Sequence, residues 1–178
     1  MSKILVIVDM QNDFVTGSLG SKDAQAIVPN IVDLIENGGY DGICVTLDTH
    51  KDDYLKTPEG KKLPVPHCIE YTEGWLIQPD IRKALEKAEY VRYIQKPTFG
   101  STTLCSDIIG WRKSEDIVDF VGVCTDICVV SNVLMAKAFT PYTQIRVIAD
   151  ACAGTSPEAH QAALKVMQSC QIDIKTME

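Results

Sequence analysis

The most constraining feature of the sequence is a regular alternation between short apolar runs and helical periods. The runs fall at residues 4–9, 42–48, 90–96, 117–123, 145–150 and, more weakly, 171–174. Most are apolar nearly throughout, which is typical of strands buried on both faces of a parallel sheet. Apolar residues recur at helical spacing between them. The alternation therefore predicts a three-layer αβα fold with a doubly wound, mainly parallel sheet of about six strands.

Length and composition narrow the class of protein. A chain of 178 residues is predicted to form one domain over residues 1–178. Seventeen Lys and Arg against twenty-four Asp and Glu give a net charge of −7, which disfavours nucleic acid and anionic membranes as partners. The seven cysteines are odd in number and scattered, and neither a signal peptide nor a membrane span is recognisable. We therefore expect a cytoplasmic protein.

Polar residues close several of the predicted strands. Asp9 ends the first run, Asp48 the second and Lys96 the third, and the fourth leads into Cys124 and Cys128. Ligands of open α/β sheets bind beyond the carboxyl ends of the strands. The pattern predicts that two acids, a lysine and a thiol meet in one crevice. The alternative is that these residues are polar only because the strands reach the surface there.

Cys128 is the candidate nucleophile. Thr125 is a predicted N-cap, which places Cys128 in the first turn of a helix. There the helix dipole and free backbone N–H groups are expected to lower the pKa of the thiol and to stabilise an oxyanion. No Cys-His pair is visible at a strand end, so Asp9 is expected to accept the thiol proton, with Lys96 holding the charges. The alternative is an ordinary core cysteine.

A long loop, at about residues 48–74, is rich in Lys, Pro, Asp and Glu and shows no clear period. Such a loop in a small domain usually has a function. Its candidate metal ligands are Asp48, His50, Glu59 and His67, with Cys68 as a soft alternative. Carboxylate and imidazole ligands suit a divalent ion such as zinc, manganese or iron. The alternative is a solvated loop whose histidines have no shared role.

Together these motifs resemble the isochorismatase-like cysteine hydrolases. The resemblance is carried, in order along essentially the whole chain, by Asp9-Met-Gln-Asn-Asp-Phe14, Lys96 and Gly122-Val-Cys-Thr-Asp-Ile-Cys128. It implies a catalytic triad with Cys128 as nucleophile, Asp9 as general base and Lys96 as electrostatic support. It also implies a non-proline cis peptide bond before Cys124, whose backbone N–H would share an oxyanion hole with that of Cys128.

Within this family the long loop is similar to that of the nicotinamidases. These bind a metal through an Asp-x-His, in some members an intervening Glu, and the His of a Pro-x-His, which here are Asp48, His50, Glu59 and His67. The resemblance implies a divalent ion, zinc first and manganese or iron as alternatives. It further implies hydrolysis of nicotinamide to nicotinate and ammonia through a thioester on Cys128, and a homodimer or homotetramer.

Three departures from the nicotinamidase pattern concern the substrate. Pro64 stands where many nicotinamidases have an aromatic residue against the pyridine ring, Thr49 stands where tryptophan is common, and the segment after Lys96 is short. Phe14 is expected as one wall of the substrate pocket. The other wall is expected from Tyr54, Trp75 or Phe99. These departures leave open the hydrolysis of another small amide or carbamoyl substrate.

A hypothesis from another class of function is that the chain is a redox-responsive binding module. Cys124 and Cys128 are four residues apart across a strand-to-helix turn. They could form a disulfide if their Cα atoms came within about 7 Å. This hypothesis leaves Asp9, Lys96 and the loop histidines without a role.

Overall fold

The computed structural model describes residues 2–110 and 116–177. Within these residues six strands form one sheet in the order β3-β2-β1-β4-β5-β6, and all neighbouring strands are parallel. The strands are β1 Lys3–Val8, β2 Gly42–Asp48, β3 Val91–Lys96, β4 Ile117–Val123, β5 Gln144–Ala153 and β6 Asp173–Lys175. This confirms the predicted doubly wound parallel α/β sheet.

Helices connect the strands and cover both faces of the sheet. They are α1 Asn12–Val15, α2 Lys22–Ala26, α3 Val28–Asn37, α4 Pro58–Lys62, α5 Pro79–Leu85, α6 Thr102–Gly110, α7 Val130–Phe139 and α8 Pro157–Ser169. A π-helical turn, Thr125–Val129, leads into α7, and 3-10 turns occupy Tyr54–Lys56 and Glu73–Trp75. None of the helices in the described part of the chain is both long and apolar enough to cross a bilayer.

The segment between β2 and α5 is more regular than its sequence predicts. It contains α4 and both 3-10 turns, although it shows no helical period. Local signals form α4, because the Thr57 side chain accepts a hydrogen bond from the Gly60 N–H at 3.0 Å and Pro58 begins the helix. A five-residue helix is too short for a period to appear in the sequence.

Alternating side chains of β1 separate the core into two layers. Val6 and Val8 pack on one face with residues of α6, α7 and α8, and Leu5 and Ile7 pack on the other with residues of α3 and α5. This is the two-residue period of a strand that is buried on both sides. The side chains in the middle of β1 are therefore occupied by packing, and ligands of such sheets bind beyond the strand ends.

The register of the sheet brings these ends together. Val8 pairs with Thr46 on one side and with Gly122 on the other, and Asp48 pairs with Lys96. Gly122 has a φ of +114°, and a Cβ there would lie 2.1 Å from the Val8 carbonyl oxygen. Only glycine permits this close approach of β4 to the end of β1. Asp9 therefore follows Val8 at the edge where the other strands also end.

Candidate active site

Lys96 lies at the centre of the group of residues that ends the strands. It is 1% exposed, and its Nζ is 2.6 Å from Asp9 Oδ2 and 3.5 Å from both Cys128 Sγ and Asp48 Oδ1. Burial alone would lower the pKa of Lys96, but the charges of Asp9, Cys128 and Asp48 raise it above its ordinary value. The ammonium is therefore charged at neutral pH. The structure brings Asp9, Lys96 and Cys128 into one contact group.

The acid and the thiol of this group are both protonated more readily than usual. Burial raises the pKa of Asp9, an effect that Lys96 opposes and Asp48 reinforces. Burial also raises the pKa of the Cys128 thiol well above its ordinary value, with Asp9 adding to the effect and Lys96 opposing it. The expectation of a lowered thiol pKa is therefore wrong, because burial and a facing carboxylate outweigh the helix end. The raised pKa favours a neutral thiol at Cys128.

The backbone around Cys128 forms a π-helical turn. The Cys124 carbonyl accepts hydrogen bonds from the N–H groups of Ile127, at 3.0 Å, and Val129, at 3.1 Å. The N–H of Cys128, between these two donors, is not bonded to this carbonyl. π-Helical turns are frequent at functional sites. The Val123–Cys124 peptide bond is cis, as the family resemblance implies.

The start of this turn differs from the predicted one. Cys124, rather than Thr125, occupies the N-cap position. Thr125 is fully buried, and its hydroxyl lies 2.8 Å from His160 Nδ1 on α8. The Thr125 side chain is therefore occupied by a tertiary contact and cannot cap its own helix. Cys128 still lies in the first turn, as expected.

The four candidate metal ligands converge. One ligand atom from each of Asp48, His50, Glu59 and His67 lies within 4.8 Å of the others. Asp48 Oδ2 is 3.0 Å from His50 Nε2 and 3.4 Å from His67 Nε2, and Glu59 Oε1 is 3.7 Å from each of these nitrogens. Ligand atoms placed about 2.0–2.2 Å from a common ion are separated by about 3.0–3.6 Å. The donor types therefore suit a divalent cation, and the four separations of 3.0–3.7 Å lie within or just above this range.

The hydrogen bonds of this cluster leave ligand atoms directed at a cation. His67 Nδ1 lies 2.8 Å from the Val65 carbonyl, to which it can donate, and this leaves its Nε2 lone pair for the cluster. Burial alone would raise the pKa of Asp48, but hydrogen bonds with His50 and His67 and the charge of Lys96 hold it below its ordinary value. Asp48 is therefore a carboxylate that faces the cluster with one oxygen and Lys96 with the other.

Gln11 fixes the backbone of Asp48. Its amide nitrogen donates to the carbonyls of Asp48, at 2.9 Å, and Trp75, at 2.8 Å, and its amide oxygen accepts from the Asp48 N–H at 2.8 Å. Gln11 is fully buried. It therefore joins the turn after β1 to the end of β2 and to the loop that closes the site.

A cavity of about 390 Å³ opens onto both the thiol and the metal cluster. Its lining includes Cys128, Asp48, Glu59 and His67, together with apolar side chains of Phe14, Leu63 and Phe99. Its volume lies within the range of small-molecule sites. A ligand in this space can contact the sulfur and the cluster at the same time.

Two of the expected cavity walls lie elsewhere. Tyr54 is 1% exposed and packs beneath the histidines, with its ring centroid 4.7 Å from that of His50 and 4.9 Å from that of His67. The Trp75 indole donates to Thr49 Oγ1 at 2.9 Å. The side chain of Tyr54 is thus used to support the histidines and that of Trp75 to close the loop. Neither lines the cavity.

Sequence reasoning missed three residues of the site. Leu63 lines the cavity. The sequence feature that could have indicated it is its position next to Pro64, which stands where many nicotinamidases have an aromatic residue. Thr46 Oγ1 donates to Asp9 Oδ1 at 2.6 Å, and its signal is a polar residue inside the apolar second run. Asn132 donates to the carbonyls of Cys128, at 2.8 Å, and Phe99, at 2.9 Å. Its signal is an amide four residues after the cysteine in an apolar helix.

Comparisons with known proteins identify similar sequences and a similar fold. The family described as isochorismatase domain matches residues 3–178. A nicotinamidase/pyrazinamidase of Mycobacterium tuberculosis is 28% identical, with 97% of each chain covered. A nicotinamidase of Schizosaccharomyces pombe is 29% identical, with 96% of this chain and 91% of the relative covered. The crystal structure of a Bacillus subtilis nicotinamidase/pyrazinamidase superposes with a TM-score of 0.84 at 28% identity and covers 98% of this chain and 100% of that one.

Proposed function

Because the chain belongs to the isochorismatase family, whose domain it matches over residues 3–178, we propose that it is a metal-dependent cysteine amidase that hydrolyses nicotinamide to nicotinate and ammonia. The observation that carries the proposal is that Lys96 contacts Asp9 at 2.6 Å and Cys128 at 3.5 Å beside a cavity shared with the four-ligand cluster. The nicotinamidase relatives support the choice of substrate.

In the first half of the reaction, Cys128 Sγ attacks the carboxamide carbon and its proton passes to Asp9. The backbone N–H groups of Cys124 and Cys128 are the proposed donors to the oxyanion. When the C–N bond breaks, the proton moves from Asp9 to the leaving nitrogen, which departs as ammonia, and a thioester remains on Cys128. Lys96 remains protonated throughout and balances the negative charge as it moves from Asp9 to sulfur and oxygen.

In the second half, a water molecule attacks the thioester while Asp9 accepts its proton. The C–S bond breaks, the proton returns to the sulfur, and the carboxylic acid leaves. Both halves use the same base and the same oxyanion donors. Because the base and the donors are reused, one buried carboxylate beside the sulfur is sufficient for both halves.

Asp48, His50, Glu59 and His67 are the proposed metal ligands, and their donor types suit zinc, manganese or iron. A bound divalent ion would supply a Lewis acid for the ring nitrogen of the substrate. Phe14 lies beside this cluster, with its ring centroid 5.4 Å from that of His67. We propose that Phe14 and Phe99 enclose the ring and that the cluster sets its orientation, so that the carboxamide faces Cys128.

The proposal is tested by metal analysis and by ammonia release from nicotinamide, pyrazinamide and benzamide. We expect about one divalent ion per chain, turnover of the first two amides, and turnover of benzamide at least about a hundredfold slower, because benzamide lacks the ring nitrogen. Cys128→Ala should release no ammonia but should keep its metal, and His67→Ala should lose the metal. A protein that binds no metal and hydrolyses none of the amides would contradict the proposal.

A second candidate is the hydrolysis of a different small amide or carbamoyl compound. It is favoured by the presence of Leu63 in the wall of the cavity, where an aliphatic side chain cannot stack on a ring as an aromatic one does. In that case a broader panel should contain an amide with a higher kcat/KM than nicotinamide. Equal rates for benzamide and nicotinamide would favour this candidate, since they would indicate that the ring nitrogen is not recognised.

The redox hypothesis has its own test. All seven cysteines lie in the described residues and are free thiols, and Cys128 is buried against Lys96. Loss of two thiols under mild oxidant, without amidase activity under any condition, would favour a Cys124–Cys128 switch.

The free thiols also support the proposed cytoplasmic location. The homo-oligomer implied by the family resemblance is tested by light scattering of the purified chain.

A further inference from the structure

The carboxylate of Asp9 has two chemically different oxygens in this structure. Oδ2 lies 2.6 Å from Lys96 Nζ, the ammonium that is also 3.5 Å from Cys128 Sγ. Oδ1 instead accepts a hydrogen bond of 2.6 Å from the hydroxyl of Thr46. Only one of these oxygens therefore lies beside the ammonium that contacts the reacting sulfur.

The hydroxyl of Thr46 has a fixed direction. Its oxygen accepts the backbone N–H of Asp9 at 3.2 Å, and its hydrogen is directed to Asp9 Oδ1. Thr46 is fully buried, and within residues 2–110 and 116–177 its hydroxyl has no other hydrogen-bond partner. A hydroxyl carries one hydrogen. That hydrogen has Oδ1 as its acceptor.

This arrangement makes protonation of the two oxygens unequal. A proton on Oδ1 would meet the hydrogen of the Thr46 hydroxyl, which would then lose its acceptor inside the protein. A proton on Oδ2 leaves the Thr46 bond intact but competes with the Lys96 ammonium, which lies 2.6 Å from that oxygen. Lys96 Nζ has Asp48 Oδ1 and Cys128 Sγ at 3.5 Å as further partners for its hydrogens, whereas the Thr46 hydroxyl has only Oδ1 as an acceptor within the described residues. Protonation at Oδ2 is therefore the favoured one.

We propose that Thr46 is a positioning residue that selects Oδ2 of Asp9 as the atom that receives the proton of Cys128. The inference rests on the proposed function in one respect, namely that Asp9 is the base for Cys128. In the step, the S–H bond breaks, the electron pair stays on sulfur, and an O–H bond forms at Oδ2. From there the proton is returned to the leaving nitrogen. A proton on Oδ1 would be held toward β2, away from the Lys96 ammonium.

Several ionisable groups surround Asp9, and among the described residues none of them forms a hydrogen bond with the Thr46 hydroxyl. The ionisable groups that face it are Lys96, Asp48, Cys68, Cys124 and Cys128. The pKa of Asp48 is held below its ordinary value, that of Lys96 is raised above its own, and burial raises those of all three thiols. Among these groups Asp9 is the one that accepts the hydrogen bond of the Thr46 hydroxyl.

The test compares Thr46→Val, which removes the hydroxyl at nearly constant shape, with Thr46→Ser, which keeps it. Two rates are measured from pH 5 to 9 on the protein with its metal. The first is alkylation of Cys128 by iodoacetamide, mapped by peptide mass spectrometry, with the exposed Cys170 as an internal reference. The second is kcat for ammonia release. Alkylation requires only that the proton leaves the sulfur, whereas turnover also requires its return from the correct oxygen.

For Thr46→Val we expect the acid limb of Cys128 alkylation to move up by about 1–2 pH units, because a hydrogen bond to the Asp9 carboxylate is lost. The kcat should fall about tenfold to a hundredfold while alkylation above the limb is not slowed. Thr46→Ser should match the unmodified protein in both rates. Cys170 should react equally in all variants.

Three results would overturn the inference. They are an unmoved acid limb in Thr46→Val, an equal fall of alkylation and turnover in that variant, and a loss in Thr46→Ser as large as in Thr46→Val. If Thr46→Val does not fold, Thr46→Ala replaces it, and Thr46→Ser still has to behave as the unmodified protein does. If no amide is hydrolysed by the unmodified protein, the proposed function fails, but the alkylation limb still decides the role of Thr46.

Discussion

Removal of the Lys96 ammonium is expected to destabilise the fold in a pH-dependent way. Lys96→Met replaces a buried cation by an apolar side chain of similar length. It leaves Asp9, which is fully buried, and Asp48, which is 3% exposed, without the charge that lies between them. Both carboxylates would then face each other inside the protein.

The size of the effect follows from the distances. With an effective dielectric constant of about 20, the Lys96–Asp9 attraction at 2.6 Å is about 6 kcal/mol and the Lys96–Asp48 attraction at 3.5 Å is about 5 kcal/mol. Desolvation of the three charges offsets much of this. Breaking a buried pair by removing one partner costs about 3–5 kcal/mol. For a chain of this length that corresponds to a fall in Tm of about 6–20 °C.

The pH dependence has a definite sign. The pKa of Asp9 is raised above the 3.8 of an unfolded carboxyl by burial, and Lys96 opposes this, so the variant should have a still higher Asp9 pKa. A carboxyl with a raised folded pKa favours the folded state at low pH, and this contribution is lost as pH rises through the folded pKa. The deficit of Lys96→Met should therefore be larger at pH 8 than at pH 5.

Urea and thermal unfolding followed by circular dichroism, with metal present, measure this deficit at both pH values. Lys51→Met is the matched control, because Lys51 is exposed and its pair with Glu70 lies at the surface. Adding Asp9→Asn to Lys96→Met should recover part of the loss, since it removes the unpaired carboxylate. Equal stability of Lys96→Met and the unmodified protein at pH 8, or a deficit that does not change with pH, would refute the reasoning.

Three further outcomes are expected. Cys124→Ala should keep most of the ammonia release that Cys128→Ala abolishes, because the proposed mechanism uses only the backbone of residue 124; equal losses in both would contradict these roles. Tyr54→Phe should lose only the hydrogen bond of 3.0 Å to the Leu63 carbonyl and should lower Tm by about 2–4 °C. Tyr54→Ala should lower the free energy of unfolding by about 3–5 kcal/mol. It should also weaken metal binding, as measured by competition with a chelator. The kcat/KM should fall as pH drops through an Asp9 pKa above 3.8, and an acid limb at or below that value would be inconsistent with a buried base.

The strands could be predicted because burial on both faces leaves a simple apolar signal. The bounds of β2, Gly42–Asp48, and β4, Ile117–Val123, agree with those expected from the runs. β5 extends past residue 150 to Ala153, because the pairing with β4 shifts register between Phe120 and Gly122 and then continues to Val123. A register shift leaves no mark on apolar periodicity, so the sequence could not predict this extension.

The meeting of Asp9, Lys96 and Cys128 could be predicted from the sequence, but the ionisation of these groups could not. Asp9 and Lys96 follow from the rule that polar residues at strand ends meet at one edge of a parallel sheet. The helix end that precedes Cys128 acts on the thiol only through local backbone groups. The pKa of this thiol is set instead by burial and by the charge of Asp9, which is distant in sequence. The charge of Asp9 therefore could not enter a prediction made from the residues next to Cys128.

The walls of the cavity depend on which face of the long loop turns inward, and that choice is made by tertiary packing. A Cβ on Gly60 would lie 2.1 Å from the Tyr54 carbonyl oxygen, so α4 can cross closely over the 3-10 turn only with glycine at this position. This close crossing buries Tyr54, whose hydroxyl donates to the Leu63 carbonyl, and leaves the side chain of Leu63 at the cavity. Aromatic composition alone suggests Tyr54 as a wall of the cavity. However, an aromatic ring can pack either beneath a site or within it, and composition does not distinguish the two positions. The close contact at Gly60 decides between the two positions, and it follows from the path of the backbone in three dimensions.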